Sequence, residues 1–316
     1  MGNKAAFFGA IAGTIPDLDV FLRSFYHPIE TVLIHRGFSH SILFSIIVSP
    51  VLAWILFKLY KKRYPYKTWL LLFFLGIVTH PILDAFTNYG TQLFWPFNTR
   101  VSFNTIFVLD PLYTVPFGLC LLICLFISKQ KALRHKINKI GLIYSSLYLL
   151  WGVCIKLFIL SEAKTMMRPG HENKIKTVVV KPMPLTTFYW SILTEEEEQY
   201  RIGYKSLFYK FQKKDIESIS KKNAFLIKDL KWKGKNYNKT LSLFCGDFGF
   251  AEKRTNGLTF YNLRFGTASM LTQKKYKRPV FGFEFETNSK NEIIKTTPLK
   301  PGKSFKEINT LFYFNK

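Results

Sequence analysis

Ser41–Tyr60 reads SILFSIIVSPVLAWILFKLY, with no charge before Lys58. A helix needs about 20 apolar residues to cross roughly 30 Å of hydrocarbon, so this run has membrane length. Just before it stands His35-Arg36-Gly37-Phe38-Ser39-His40; just after it come Lys61, Lys62, Arg63 and Lys67. Beyond that basic turn, Thr68–Phe86 is a second run of membrane length, closing on His80-Pro81-Ile82-Leu83-Asp84. The pair reads as a helical hairpin with a basic turn at one end and two histidine clusters at the other.

Leu112–Ser128 and Gly141–Leu160 supply two further spans, and the first of these carries no charge, which argues against buried helices of a soluble protein. Ala5–Ile15 is too short to span alone and reads as a short N-terminal helix broken by Pro16. It runs straight into Asp17 and Asp19, unlike a cleavable secretory signal. Lys129, Lys131, Arg134, His135, Lys136 and Lys139 separate the third and fourth spans. The positive-inside rule puts both basic turns in the cytoplasm. His35, His40, His80, Asp84 and Asp110 then share the extracytoplasmic end of a multi-pass inner-membrane protein.

The chain has 316 residues and a formal net charge of +25, and its composition shifts near residue 161. Two domains are expected: a helical membrane domain over 1–160 and a β-rich extracytoplasmic domain over 161–316. Lys and Arg are scattered among aromatic residues instead of gathered in one tail, so membrane lipid is the expected partner and nucleic acid is not. Cys120, Cys124, Cys154 and Cys245 lack paired spacing and read as buried thiols.

Ionisable groups near hydrocarbon are costly and mark functional candidates. His80 and Asp84, four apart on a helix, share one face about 6 Å apart along the axis, which suits two ligands of one metal. Gly37 offers a turn between His35 and His40, and Ser39 an N-cap for the span that follows. Pro16-Asp17-Leu18-Asp19 adds two carboxylates. Imidazole and carboxylate without thiolate suit zinc first, then manganese or iron(II), and disfavour copper(I). One zinc needs three or four ligands, so six candidates mean two metals or one metal with supporting groups. His35, His40, His80, Asp84 and Asp17 are the ligand candidates. Asp19 is the candidate general base, and Arg36 a candidate to hold developing negative charge. Asp110-Pro111 reads as a helix cap. His27, His135 and His171 are isolated and carry no sign of ligation.

From Lys176 onward, alternating stretches at Thr177–Val180, Thr186–Leu193, Tyr200–Leu207, Thr240–Phe244, Leu258–Phe265 and Val280–Glu286 predict strands. Glu195–Glu198 reads as a solvated turn.

The run GAIAGTIPDLD at 9–19, HRGFSH at 35–40, THPILDAFTNYGTQLFWPF at 79–97 and IFVLDPLYT at 106–114 resemble the YdjM/YbcI family. The likeness is close over about residues 2–128 and looser in the tail, at TTFYWSIL, YRIGYKSLF and LTFYNLRFG. The resemblance implies a bacterial inner-membrane, metal-dependent hydrolase, with His35, His40, His80 and Asp84 as ligands by analogy with zinc phospholipases and nucleases. Binding of the LexA repressor is implied by a family label alone and fits poorly with a site facing away from the cytoplasm. The resemblance also implies that members usually begin with a further helix carrying an acidic, Thr-containing motif before the position of Gly2, and the expectation is that this chain lacks it. The expected function is hydrolysis of an ester or phosphodiester in a lipid or envelope component. The alternative is a metal that staples the helices beneath a partner-binding outer domain.

Overall fold

The computed structural model describes residues 1–167, 175–211, 216–221, 230–232, 234–246, 248–267 and 279–299; His171 lies outside them. The chain forms two compact units: Met1–Tyr26, Ile34–Leu157 and Pro184–Thr187 make the first, and His27–Leu33, Phe158–Met183 and the chain from Phe188 onward make the second.

In the first unit, α1 (Asn3–Thr14) passes at Pro16 into a 3-10 helix, Ile15–Phe25. After α2 (Pro28–Ile34), nearly all of which belongs to the second unit, come α3 (Ile42–Leu59), α4 (Tyr66–Phe86), α5 (Pro111–Phe126) and α6 (Ala132–Met166), whose last residues also belong to the second. Four helices are long and apolar enough to cross a membrane: Asn3–Phe25, α3, α4 and α6. Two lengths differ from the sequence reading. The 3-10 continuation lengthens the N-terminal segment to 23 residues, whereas α5 stops after 16 and is the shorter apolar helix. Proline at the first turn starts a helix as readily as it ends one, which explains the first difference.

Ala12, Ala53, Trp69, Phe73 and Ile77 form the core where α1, α3 and α4 meet. A Cβ at Gly76 would stand 2.6 Å from that of Ala12, so α1 approaches α4 closely only because position 76 is glycine. Outward, α3 exposes Leu43, Ile46, Ile47, Val51 and Trp54, as a lipid-facing helix must.

The second unit is β-rich. One antiparallel sheet has the order β1-β2-β3-β4, from Thr177–Pro182, Tyr189–Glu195, Gln199–Ser206 and Glu217–Ser220. A ribbon pairs β5 (Lys231–Trp232) with β6 (Lys235–Asn236). The other four-stranded sheet has the order β10-β9-β8-β7, from β7 (Gly249–Arg254), β8 (Gly257–Thr267), β9 (Pro279–Thr287) and β10 (Ile293–Pro298). Leu193, Tyr200, Ile202 and Ile219 pack against Phe248, Phe250, Tyr261 and Leu263 in one apolar core drawn from both sheets.

Thr240–Phe244, expected as a strand, lies in a helix, α7 (Asn238–Cys245). Its buried residues Leu241, Phe244 and Cys245 follow the helical spacing, which five residues alone cannot distinguish from alternation. Glu196, expected in a solvated turn, is fully buried; Gln199 Nε2 donates to it at 2.8 Å and Arg201 faces it at 3.6 Å.

His27–Leu33 belongs to this unit. The His27 ring lies 4.3 Å from Trp232 and 5.3 Å from Tyr237 by ring centroids, and its Nε2 is 3.2 Å from the Thr296 hydroxyl. Glu30 accepts hydrogen bonds from Lys235 and Tyr237 at 3.2 and 3.3 Å.

Candidate metal centre

The geometry of the site begins with the 3-10 helix. Each residue there turns about 120°, so Asp17 and Asp19 point about 120° apart on neighbouring faces. Pro16 and Asp19, three apart, are eclipsed and both buried, while the Asp17 side chain remains 50% exposed.

His35–His40 forms a tight loop after α2. Arg36 sits in the left-handed region at φ 63, a strained conformation for a side-chain-bearing residue. Phe38–His40 makes one 3-10 turn, and the N-cap of α3 is Ser41, which accepts from the Phe44 N–H at 3.0 Å. Ser39, the expected cap, instead donates its hydroxyl to Asp19 at 2.8 Å. His80 and Asp84 project from the last turns of α4, with Pro81 kept inside the helix.

Donor atoms from three elements converge. His40 Nε2 stands 3.2 Å from Asp17 Oδ1 and 3.5 Å from Asp84 Oδ2. His80 Nε2 stands 3.5 Å from Asp17 Oδ1 and 3.6 Å from Asp84 Oδ2. Four donors about 2.1 Å from a central ion, at the corners of a tetrahedron, would be about 3.4 Å apart. These four separations lie near that spacing, and the buried Nε2 of His80 has no hydrogen-bond partner among the described residues. Two overlapping groups can hold a metal: Asp17, His35 and His40; and His40, His80 and Asp84.

Asp19 lies behind these donors. It accepts from His35 Nδ1 at 2.8 Å and from the Arg36 N–H at 3.2 Å, and it faces His40 Nδ1 at 3.2 Å. With Nδ1 donating to Asp19, the Nε2 lone pair of His40 points toward the other donors, as in carboxylate–histidine–metal arrangements. Burial opposes the charged form of His40. The hydrogen bonds with Asp17 and Asp19 outweigh it and hold the ring above its usual pKa.

Arg36 is buried and pairs through Nε with Asp84 Oδ2 at 3.0 Å, donates through Nη1 to Thr87 Oγ1 at 2.7 Å, and stacks over Tyr89 at 5.1 Å. Arg100 donates to the carbonyl of His35 at 3.4 Å, fastening the loop from behind. Thr87, Tyr89 and Arg100 escaped the sequence reading. Only the position of Thr87, three residues past Asp84, hinted at its place. Asp110 caps α5 by accepting from the Leu112 N–H at 3.1 Å and accepts the Tyr148 hydroxyl at 3.0 Å; it belongs to neither metal-capable group among the described residues.

Residues 2–159 match the family model described as YdjM inner membrane protein. The chain belongs to the YdjM family. The uncharacterized protein YfhP of Bacillus subtilis (strain 168) is 25% identical over 205 residues, 63% of this chain and 58% of YfhP. The inner membrane protein YbcI of Escherichia coli (strain K12) is 29% identical over 123 residues, 36% of this chain and 70% of YbcI. The chain thus spans less than two thirds of the length of YfhP. No solved structure matches. The part matched by the YdjM family contains all four converging donors, and the β-rich sheets lie beyond it.

Proposed function

We propose that the protein is a membrane-bound, metal-dependent hydrolase of an ester or phosphodiester in a lipid or envelope component, working at the extracytoplasmic surface. The observation that carries this reading is the uneven exposure of the four donors. His40 is fully buried, His80 and Asp84 are largely so, and Asp17 is half open to solvent. The cluster thus has one accessible corner, where a catalytic site needs one. His40, His80 and Asp84 would hold the ion, with the more exposed Asp17 beside them. A divalent ion there, zinc first and manganese or iron(II) next, supplies Lewis acidity and acidifies water.

The chain's own groups do the rest. Asp17 accepts a proton at its exposed carboxylate, either while ligating or in place of ligating. Asp19 fixes the ring orientation and tautomer of His40 and is a positioning residue in this scheme. Arg36 holds Asp84 through its guanidinium, so the charge it offers is already engaged by a carboxylate. Loop charge supports the orientation: the basic residues Lys58–Lys67 cluster around the α3–α4 connection and Lys129–Lys139 around the α5–α6 connection. A reporter fused after Tyr60 should then read as cytoplasmic and one after Ser161 as extracytoplasmic; the reverse pattern overturns the placement.

A second reading has its own support, because His40, His80 and Asp84, from two elements, are all buried or largely so, and a closed site staples helices. Metal analysis of the purified chain separates the two, alongside His80→Ala and Asp84→Ala variants assayed on generic phosphodiester and lipid-ester substrates. The hydrolase reading expects about one bound ion, with loss of both ion and turnover in each variant. Bound metal whose removal lowers only stability, without turnover on any substrate, gives the staple. A chain that binds no divalent ion overturns both.

A further inference from the structure

The helical unit carries a basic recess at its other end. Between Met1 and Ser161 the acidic residues are Asp17, Asp19, Glu30, Asp84 and Asp110, and none lies in either basic turn. Near the Lys129–Lys139 turn, a cavity of about 590 Å³ opens between the start of α1, the end of α5 and the start of α6. Lys129, Arg134 and His135 line it together with Ala6, Leu121 and Leu125.

Its walls are tied together. Arg134 Nη1 donates to Asn3 Oδ1 at 2.8 Å and to the Ile127 carbonyl at 2.9 Å, while Asn3 Nδ2 donates to the Leu125 carbonyl at 2.9 Å. These bonds join the first turn of α1 to both ends of the α5–α6 connection, so the cavity is a braced recess and not a gap between loose helices. No acidic residue occurs between Pro111 and Ser161 to neutralise it. The first turn of α6, whose dipole also favours an anion, borders the recess.

We propose that this recess binds an anionic glycerophospholipid of the leaflet next to the basic turns. The phosphate sits by Lys129 and His135, and an acyl chain runs along Ala6, Leu121 and Leu125. A basic pocket between spanning helices recognises a charged headgroup. The apolar lining rewards an acyl chain and gives a small soluble anion nothing, and the volume lies in the range of pockets that enclose organic ligands. The inference does not depend on the metal centre.

The test uses the full chain stripped of lipid in a non-ionic detergent and titrated with phosphatidylglycerol, phosphatidylcholine or inorganic phosphate, with binding read by native mass spectrometry. Phosphatidylglycerol is expected to bind about tenfold tighter than phosphatidylcholine, reflecting attraction to basic side chains. Inorganic phosphate is expected not to compete. The double variant Lys129→Gln/His135→Gln should lose the preference, and Leu121→Trp, which fills the recess, should lose the bound lipid altogether. A monodisperse gel-filtration peak and an unchanged thermal-unfolding midpoint report whether each variant has folded, and either variant alone decides the question. Equal binding of the two lipids, competition by free phosphate, or a preference that survives in a folded variant overturns the proposal.

Discussion

The two units place polar and apolar groups in opposite ways. In the helical unit, Asp19, Arg36 and His40 are buried at one end, while Leu43, Ile46, Val51 and Trp54 face outward. In the β-rich unit, Ile202, Phe260 and Leu263 are buried, and Lys253, Arg254 and Lys295 lie at the surface. The difference follows from the solvent each meets. Hydrocarbon asks nothing of an exposed leucine but penalises an unpaired charge, so the helical unit gathers its charges where they can satisfy one another. Water rewards burying apolar surface, so the sheets enclose it.

The largest expected effect that sharpens this contrast is in the β-rich core. Ile202 is 1% exposed between the sheets, and Ile202→Ala should cost about 2–5 kcal/mol, read as early loss of the β signal in thermal unfolding. Bound metal per chain should stay unchanged at temperatures where both proteins are folded. Parallel loss of metal would break the separation between the two units.

A smaller effect is expected at Asp19, which lies behind His40. Asp19→Asn keeps every proposed ligand but weakens the hold on two histidines, so metal affinity should fall about 10- to 100-fold in a chelator competition, with stoichiometry preserved. An unchanged affinity would remove Asp19 from the site.

The smallest effect concerns Glu30. Burial pushes its carboxyl up, but hydrogen bonds from Lys235, the His27 N–H and Tyr237 carry it below the usual range. A depressed carboxylate stabilises the fold above its unfolded pKa and loses that contribution as the pH falls through the folded value. Lys235 is largely exposed, so Glu30→Gln should cost less than about 1 kcal/mol near neutrality. The difference from the parent should shrink in acid; a difference independent of pH would refute the ion-pair account.

The spans were legible because length and lack of charge decide them, as at Ser41–Phe57. The histidine clusters were legible because ionisable groups stand out against apolar runs. Which carboxylate faces which ring was not legible, since Asp17 and Asp19 differ only through the 3-10 winding after Pro16. Nor was the exchange between Ser39 and Ser41: either serine suits a cap, and the choice fell to Asp19, distant in sequence. In the tail, alternation revealed the strands around Leu193 and Phe260, but the five residues at Thr240 fit two periods equally well.

The stretch His27–Leu33 also imposes a timetable on synthesis. Asp17 and His40 leave the ribosome early, yet the segment between them rests on Trp232, Tyr237 and Thr296, and Tyr237 lies 207 residues after its partner Glu30. At roughly 5–20 residues per second, the Glu30–Tyr237 contact waits about 10–40 s. Until then the His27–Leu33 stretch has been made without the residues it packs against.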